Sequence, residues 1–253
     1  MNIFTDLFYR AKDFFFPGAC ALCGDFLTAP TEIRSSLCRN CVSDLEKVTQ
    51  NQGSKCNLCG KPLISEIDTC LPCRNTEPLT SERSYERLWV LFPYIGKYRK
   101  LLTEYKFGKN LAIANFFAEK IVEEIKICVT TEVPELKDAC FVPVPPRPGK
   151  IKENGWDQIE HLIKQMKKIP GCLPVKHCLK RKKSKVQKML NREQRLENLK
   201  GRVYFTGKQK PANEQVFILI DDVITTGSTI EVCAAALKAG GAKKVYGLCL
   251  FYD

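Results

Sequence analysis

Histidine is scarce in this chain. There are two in 253 residues, His161 and His177, and none lies in the cysteine-rich first third. No histidine is there to suggest a mixed or open metal site, so a site in that region reads as a closed, structural set of thiolates. Acidic residues are also in short supply, with 28 Asp and Glu against 40 Lys and Arg and a formal net charge of +12. Such an excess suits an anionic partner: nucleic acid, nucleotide or a phosphate-rich substrate. A membrane span is not expected. The apolar start, MNIFTDLFYRAKDFFFPG, is short and interrupted by Asp6, Arg10, Lys12 and Asp13, so it reads as a helix that docks its Phe face on the cysteine-rich module, with a membrane-surface helix as the lesser reading. No secretion signal is recognisable, and the cysteine usage points to a reducing, cytoplasmic setting. The G-x-x-x-x-G-K-[ST] phosphate loop is missing too, so any phosphate chemistry must come from another kind of loop.

Cysteine is abundant, with 14 residues. Eight form four C-x-x-C pairs: Cys20 and Cys23, Cys38 and Cys41, Cys56 and Cys59, Cys70 and Cys73. A C-x-x-C turn directs two sulfurs to one point and supplies half of a tetrahedral zinc site. A disulfide framework is the rival reading, and the cytosolic character of the chain favours zinc. Sequential pairing gives two structural Zn2+ sites, Cys20/Cys23/Cys38/Cys41 and Cys56/Cys59/Cys70/Cys73. The spacing also accommodates a cross-braced arrangement. Zinc would replace the core that so short a segment lacks. The remaining cysteines, at 128, 140, 172, 178, 233 and 249, read as small buried residues.

The stretch from Val216 to Ile230, VFILIDDVITTGSTI, organises the second part of the chain. Val216 to Ile220 is a buried strand by composition. Asp221 and Asp222 follow, then the hydroxyl-rich turn Thr225, Thr226, Gly227, Ser228, Thr229. Glu231 to Ala239 is helical in composition and stops at Gly240 and Gly241. A loop entering a helix N-terminus offers unpaired N–H groups and the positive end of the dipole, which suits phosphate. Carboxylates at the carboxyl end of a strand can accept hydrogen bonds from vicinal hydroxyls. This unit resembles the phosphoribosyl pyrophosphate (PRPP) motif of type I phosphoribosyltransferases. The resemblance implies that Asp221 and Asp222 hold the ribose hydroxyls, that Thr225 to Thr229 hold the 5′-phosphate, and that Mg2+ accompanies the pyrophosphate.

Between these parts, residues 75–83 read as a linker, Arg87 to Ile95 as a strand, and Lys97 to Phe107 and Leu111 to Val129 as helices. Lys106 and Lys109 fit a phosphate contact and a capping role equally well. Ala139 to Val144 is a strand stopped by prolines. Beyond it come Arg147, Gly149 and Lys150, then a helix after Gly155. Val175 to Asn198 is the most basic part. Its run from Lys180 to Lys185 (KRKKSK) is not expected in a core. It reads as a loop closing over an anionic ligand or as a nucleic-acid patch. Arg181, Lys182, Lys183, Lys185, Gln187, Arg192 and Arg195 are its candidate residues. Arg202 to Phe205 begins another strand.

The order of parts is similar to that of the ComF competence family: FPG, four cysteine pairs, YIGKYRKLLTEYKF, VPVPPRPGKIKENGWDQ, KSKVQKMLNREQRLENLKGRVYF, then the PRPP motif. The family's R-E-R-G-F-N-Q stands here as Lys152-Glu153-Asn154-Gly155-Trp156-Asp157-Gln158, and the threonine of its T-x-x-Q is Ser184. The resemblance implies an α/β fold, type I phosphoribosyltransferase-like, with a mostly parallel sheet flanked by helices. A double zinc-ribbon module comes first, with units at 1–80 and 81–253. It implies Arg147 and Lys150 as pyrophosphate contacts. It also implies a role in uptake or handling of single-stranded DNA, with a competence helicase as partner. Two other functions fit the same residues: an active phosphoribosyltransferase on a base, amine or nucleic-acid acceptor, and a PRPP-sensing regulatory protein.

Overall fold

The computed structural model describes residues 18–50, 54–74, 83–182, 201–207 and 215–253. The N-terminal helix, most of the linker, and Lys183, Lys185, Gln187, Arg192 and Arg195 of the basic segment lie outside the described residues. The first part contains α1 (Pro30–Ser35), α2 (Arg39–Gln50) and α3 (Leu71–Arg74) around the cysteine pairs. Next come β1 (Leu88–Pro93), α4 (Gly96–Lys106) and α5 (Ile113–Thr131). After a 3-10 turn at Pro134–Asp138 the chain forms β2 (Cys140–Pro143), α6 (Lys150–Asn154) and α7 (Gln158–Met166). The last elements are β3 (Leu179–Arg181), β4 (Val203–Phe205), β5 (Val216–Ile224), α8 (Ser228–Ala239) and β6 (Lys244–Tyr252).

Four strands form one parallel sheet in the order β1-β6-β5-β2, and β3 and β4 form a separate antiparallel pair. The parallel strands are buried along most of their length, as expected for a sheet covered on both faces. One face packs on α4, α5 and α7. Phe116, Phe117, Ile121 and Ile125 recur at helical spacing on α5 and join Phe92, Ile218, Ile220 and Phe251 in one core. The other face packs on α8 and the small β3–β4 sheet through Phe217, Leu219, Ile230, Cys233, Leu237 and Val203. Gly247 lets this side close up, because a methyl there would stand 2.4 Å from Leu88 Cδ1.

Two sequence expectations shift. β5 does not end at Ile220. It continues through both acids to Ile224, because Asp221, Val223 and Ile224 pair in register with Cys249, Phe251 and Tyr252 of β6. The hydroxyl residues Ser228 and Thr229 belong to the first turn of α8, which starts three residues earlier than composition indicates. The scattered cysteines are as expected: 128, 140, 178, 233 and 249 are buried, 172 is half-buried, and all are free thiols. Among the described residues no helix is long and apolar enough to cross a membrane.

Candidate functional sites: two cysteine sets and a crevice at the end of β5

Cys20, Cys23, Cys38 and Cys41 bring their sulfurs together, as do Cys56, Cys59, Cys70 and Cys73, each set lying within 4.8 Å. The grouping is sequential. Four thiolates at about 2.3 Å from a tetrahedral ion stand about 3.8 Å apart. The Cys23–Cys38 and Cys59–Cys70 sulfur separations are both 3.6 Å, so the donor sets fit zinc. The two sites share a further detail: the Cys38 N–H donates to Cys20 Sγ and the Cys70 N–H to Cys56 Sγ, both at 3.4 Å. Burial pushes the Cys20 thiol up, but the N–H groups of Cys23, Cys38 and Leu22 outweigh it and bring it down to about 7. Cys56 reaches the same value for the same reasons, through Cys59, Cys70 and Leu58.

The second site lies at the carboxyl end of β5. The helix after β5, α8, packs on one face of the sheet, whereas α7, which follows neighbouring β2, packs on the other. Loops that part to opposite faces leave a crevice between their strands, the usual ligand position in an open α/β sheet. Gly227 caps α8 with a φ of +76°, a left-handed conformation that glycine adopts without strain. Thr226 Oγ1 and Ser228 Oγ are hydrogen-bonded at 2.8 Å. Thr225 to Thr229, together with Asp221, Val223 and Arg181, line a cavity of about 180 Å³.

The acidic residues are divided by strand alternation. Asp221 borders that cavity. Burial first, and then the Asp222 carboxylate, push Asp221 up to about 7, against the Asp222 N–H and the charges of Lys106 and Lys150. Asp222 turns to the other side, where Lys106 Nζ stands 2.6 Å from Oδ2 and the Gln158 amide donates to the same oxygen. Beyond it opens a second pocket lined by Lys106, Phe107, Lys109, Lys150, Trp156 and Gln158. Lys150 is held by Asp157 at 2.7 Å. Asp157 is itself fixed as the N-cap of α7, accepting from Ile159 N and Glu160 N.

Of the residues singled out in the sequence, the structure brings Asp221, the 225–229 loop and Arg181 to one cavity and Lys150 to the neighbouring pocket. Arg147 is exposed and forked onto Glu153. The basic run was expected to stay out of the core. Lys180 and Lys182 are exposed, but Arg181 between them is half-buried, because β3 pairs with β4 and alternation turns its side chain inward. Gln158 and Asp157 were not singled out as site residues, and Lys106 was left undecided. A signal for Gln158 and Asp157 was present in their place within the WDQ motif.

The fold and the cysteine sets define the class: a parallel-sheet α/β protein with an N-terminal double zinc ribbon. A family profile described as double zinc ribbon domain matches residues 11–76. The chain is 28% identical to competence protein ComFC of Bacillus subtilis, over 85% of this chain and 82% of that one. It is 24% identical to ComFC of Streptococcus pneumoniae, over 89% and 96%. It is 25% identical to DNA utilization protein YhgH of Escherichia coli, over 92% and 96%. The chain is a homologue of these ComFC and YhgH proteins, members of the ComF family that its motifs resemble.

Proposed function

We propose that the chain binds PRPP or a related phosphoribosyl ligand, with Mg2+, in the crevice at the end of β5, and that it serves in the handling of single-stranded DNA. The observation that carries this reading is the position of the acids. Asp221 and Asp222 stand between a hydroxyl-rich helix N-terminus on one side and a lysine-lined pocket on the other. That order matches a ligand with a phosphate at one end, hydroxyls in the middle and a pyrophosphate at the other. The loop would take the 5′-phosphate and Lys106, Lys109 and Lys150 the pyrophosphate. Bound Mg2+ would neutralise pyrophosphate charge. The relatives' names, competence protein and DNA utilization protein, support the DNA role, with exposed Lys180 and Lys182 as part of its surface.

Calorimetric titration with PRPP and Mg2+ tests the first half. Wild type should bind, and the Asp221→Asn/Asp222→Asn variant should stay folded and lose binding by orders of magnitude, since each charged hydrogen bond is worth about 1.5–3 kcal/mol. Equal affinity in the folded double variant would refute the site. For the second half, single-stranded DNA affinity should fall with salt by about 0.7 log units per log unit of salt for each phosphate contact. Pyrophosphate release on adding an acceptor would add transferase activity to this reading.

A further inference from the structure

Arg181 sits at the end of β3, with exposed lysines on either side. Its side chain reaches the cavity under the 225–229 loop, where it lines the wall with Asp221 and Ser228. Its Nε is closed off from solvent and has no hydrogen-bond partner among the described residues. No carboxylate forms an ion pair with it among those residues either, although Asp221, Cys233 and Arg147 are near enough to act on its charge. A buried guanidinium Nε with no partner among the described residues is costly, and Arg181 lines the same cavity as the 225–229 loop, which is suited to phosphate. Guanidinium is also the group whose planar fork matches phosphate oxygens two at a time.

We infer that Arg181 is a ligand-binding residue of this cavity, gripping the monophosphate end of a phosphorylated sugar together with the N–H groups at the start of α8. The class of ligand follows from what shares the cavity. A carboxylate disfavours a bare anion and accepts from hydroxyls, while a guanidinium and a helix N-terminus favour phosphate. One small molecule satisfies both if it carries a hydroxyl-bearing sugar and a phosphate monoester. This inference rests on the phosphoribosyl reading and adds to it a residue from the basic segment. It takes Arg181 away from the DNA surface that its sequence neighbours form.

Calorimetry of the full chain with ribose 5-phosphate, ribose and PRPP tests it, using wild type, Arg181→Met, Arg181→Lys and Asp221→Asn. Wild type should bind ribose 5-phosphate, and ribose far more weakly. Arg181→Met should weaken ribose 5-phosphate and PRPP by roughly ten- to a hundred-fold, as loss of charged hydrogen bonds requires. Arg181→Lys should recover part of that loss. Ligand-free Arg181→Met should melt at or above the wild-type temperature, because an unpartnered charge has been replaced by an apolar chain. A residue with only a structural role would lower it. Affinity for single-stranded DNA should be unchanged in Arg181→Met and reduced in Lys180→Gln/Lys182→Gln. If Arg181→Met binds ribose 5-phosphate as wild type does, while Asp221→Asn does not, the inference falls and the phosphoribosyl reading survives. If wild type binds neither ribose 5-phosphate nor PRPP, both fall.

Discussion

The two zinc sites have the same ligands, the same sulfur geometry and the same N–H to sulfur bond, yet they are attached to the protein in different ways. The first is joined by side chains. Leu27, Leu37 and Leu45 belong to the same buried core as Phe92, Leu102 and Phe117. Tyr98 donates to the Leu45 carbonyl at 2.5 Å, Lys100 to that of Leu22 at 2.7 Å, and Asn115 to that of Arg34 at 2.7 Å. Lys120 reaches Glu46 at 2.6 Å. Among the described residues the second site has a small core of its own, Cys56, Cys59 and Cys70 with a few half-buried neighbours. It is joined by main chain at β1 and by the Lys61 side chain, which donates to the Asp253 carbonyl. The Leu88 N–H donates to the Leu58 carbonyl at 3.1 Å. Gly60 presses so closely on β1 that a methyl there would stand 2.5 Å from the Leu88 carbonyl oxygen.

The second site is also linked toward the candidate ligand loop through Arg83 and Tyr85. Arg83 donates to the carbonyl of Cys73 at 3.0 Å and to the Tyr85 hydroxyl at 3.1 Å. That hydroxyl stands 3.8 Å from where a Gly227 side chain would begin. The next residue, Ser84, donates its N–H to buried Glu231 in the first turn of α8 at 3.0 Å. The difference teaches that one ligand pattern can serve two mechanical ends: the first ribbon extends the core, and the second braces the loop.

The largest effects expected are those of losing a metal site. Cys20→Ser and Cys56→Ser should each reduce zinc from about two to about one per chain, with apparent binding free energies of about 10 kcal/mol or more at stake. Cys20→Ser should lower the melting temperature of the whole protein, because its ribbon is part of the central core. Cys56→Ser should leave most of that core folded and weaken PRPP binding. Indistinguishable melting and binding in the two variants would end the comparison. Next in size is Leu45→Ala, expected to cost about 2–5 kcal/mol by denaturant unfolding. Zinc content and ligand affinity should be retained.

Smaller again is the link itself. Arg83→Met and Tyr85→Phe should keep two zinc ions and weaken PRPP by roughly 2- to 10-fold, the range of an ordinary hydrogen bond. Unchanged affinity would leave the second ribbon as a strand-edge cover with no hold on the loop. The smallest effect is a response to pH in which neither ribbon takes part. Asp221 is raised to about 7. Between its unfolded value near 3.8 and that point the folded chain holds a proton that the unfolded chain has released. Stability therefore falls as pH rises through that window. PRPP affinity should rise a few-fold as pH passes 7, since the ionised carboxylate accepts sugar hydroxyls. Asp221→Asn should remove both trends, while Arg83→Met should retain them.

Much of this was legible in the residues because its signals are short-range. A C-x-x-C turn needs four residues to define itself, and β5, its acids and the hydroxyl turn occupy fourteen consecutive positions. The rest depends on partners from distant segments. Gln158 meets Asp222 across 64 positions. Arg83 bridges Cys73 to Tyr85, whose hydroxyl comes beside Gly227 across 142 positions. Arg181 read as one cation among several, and nothing local could tell that β4 would pair with β3 and turn it inward.

The sequence by itself therefore determined four cysteine pairs, a buried strand with its acids and a loop suited to phosphate, since each follows from spacing, apolar pattern or turn chemistry within a short window, while the sequential grouping of the pairs came with the structure. Tertiary structure alone decided that the two acids look to opposite faces and that the second ribbon is linked toward the loop through Arg83 and Tyr85. It also decided that Arg181 leaves its basic neighbours for the cavity. Those outcomes depend on strand order and on which face each helix covers, and they are settled only when the sheet is assembled.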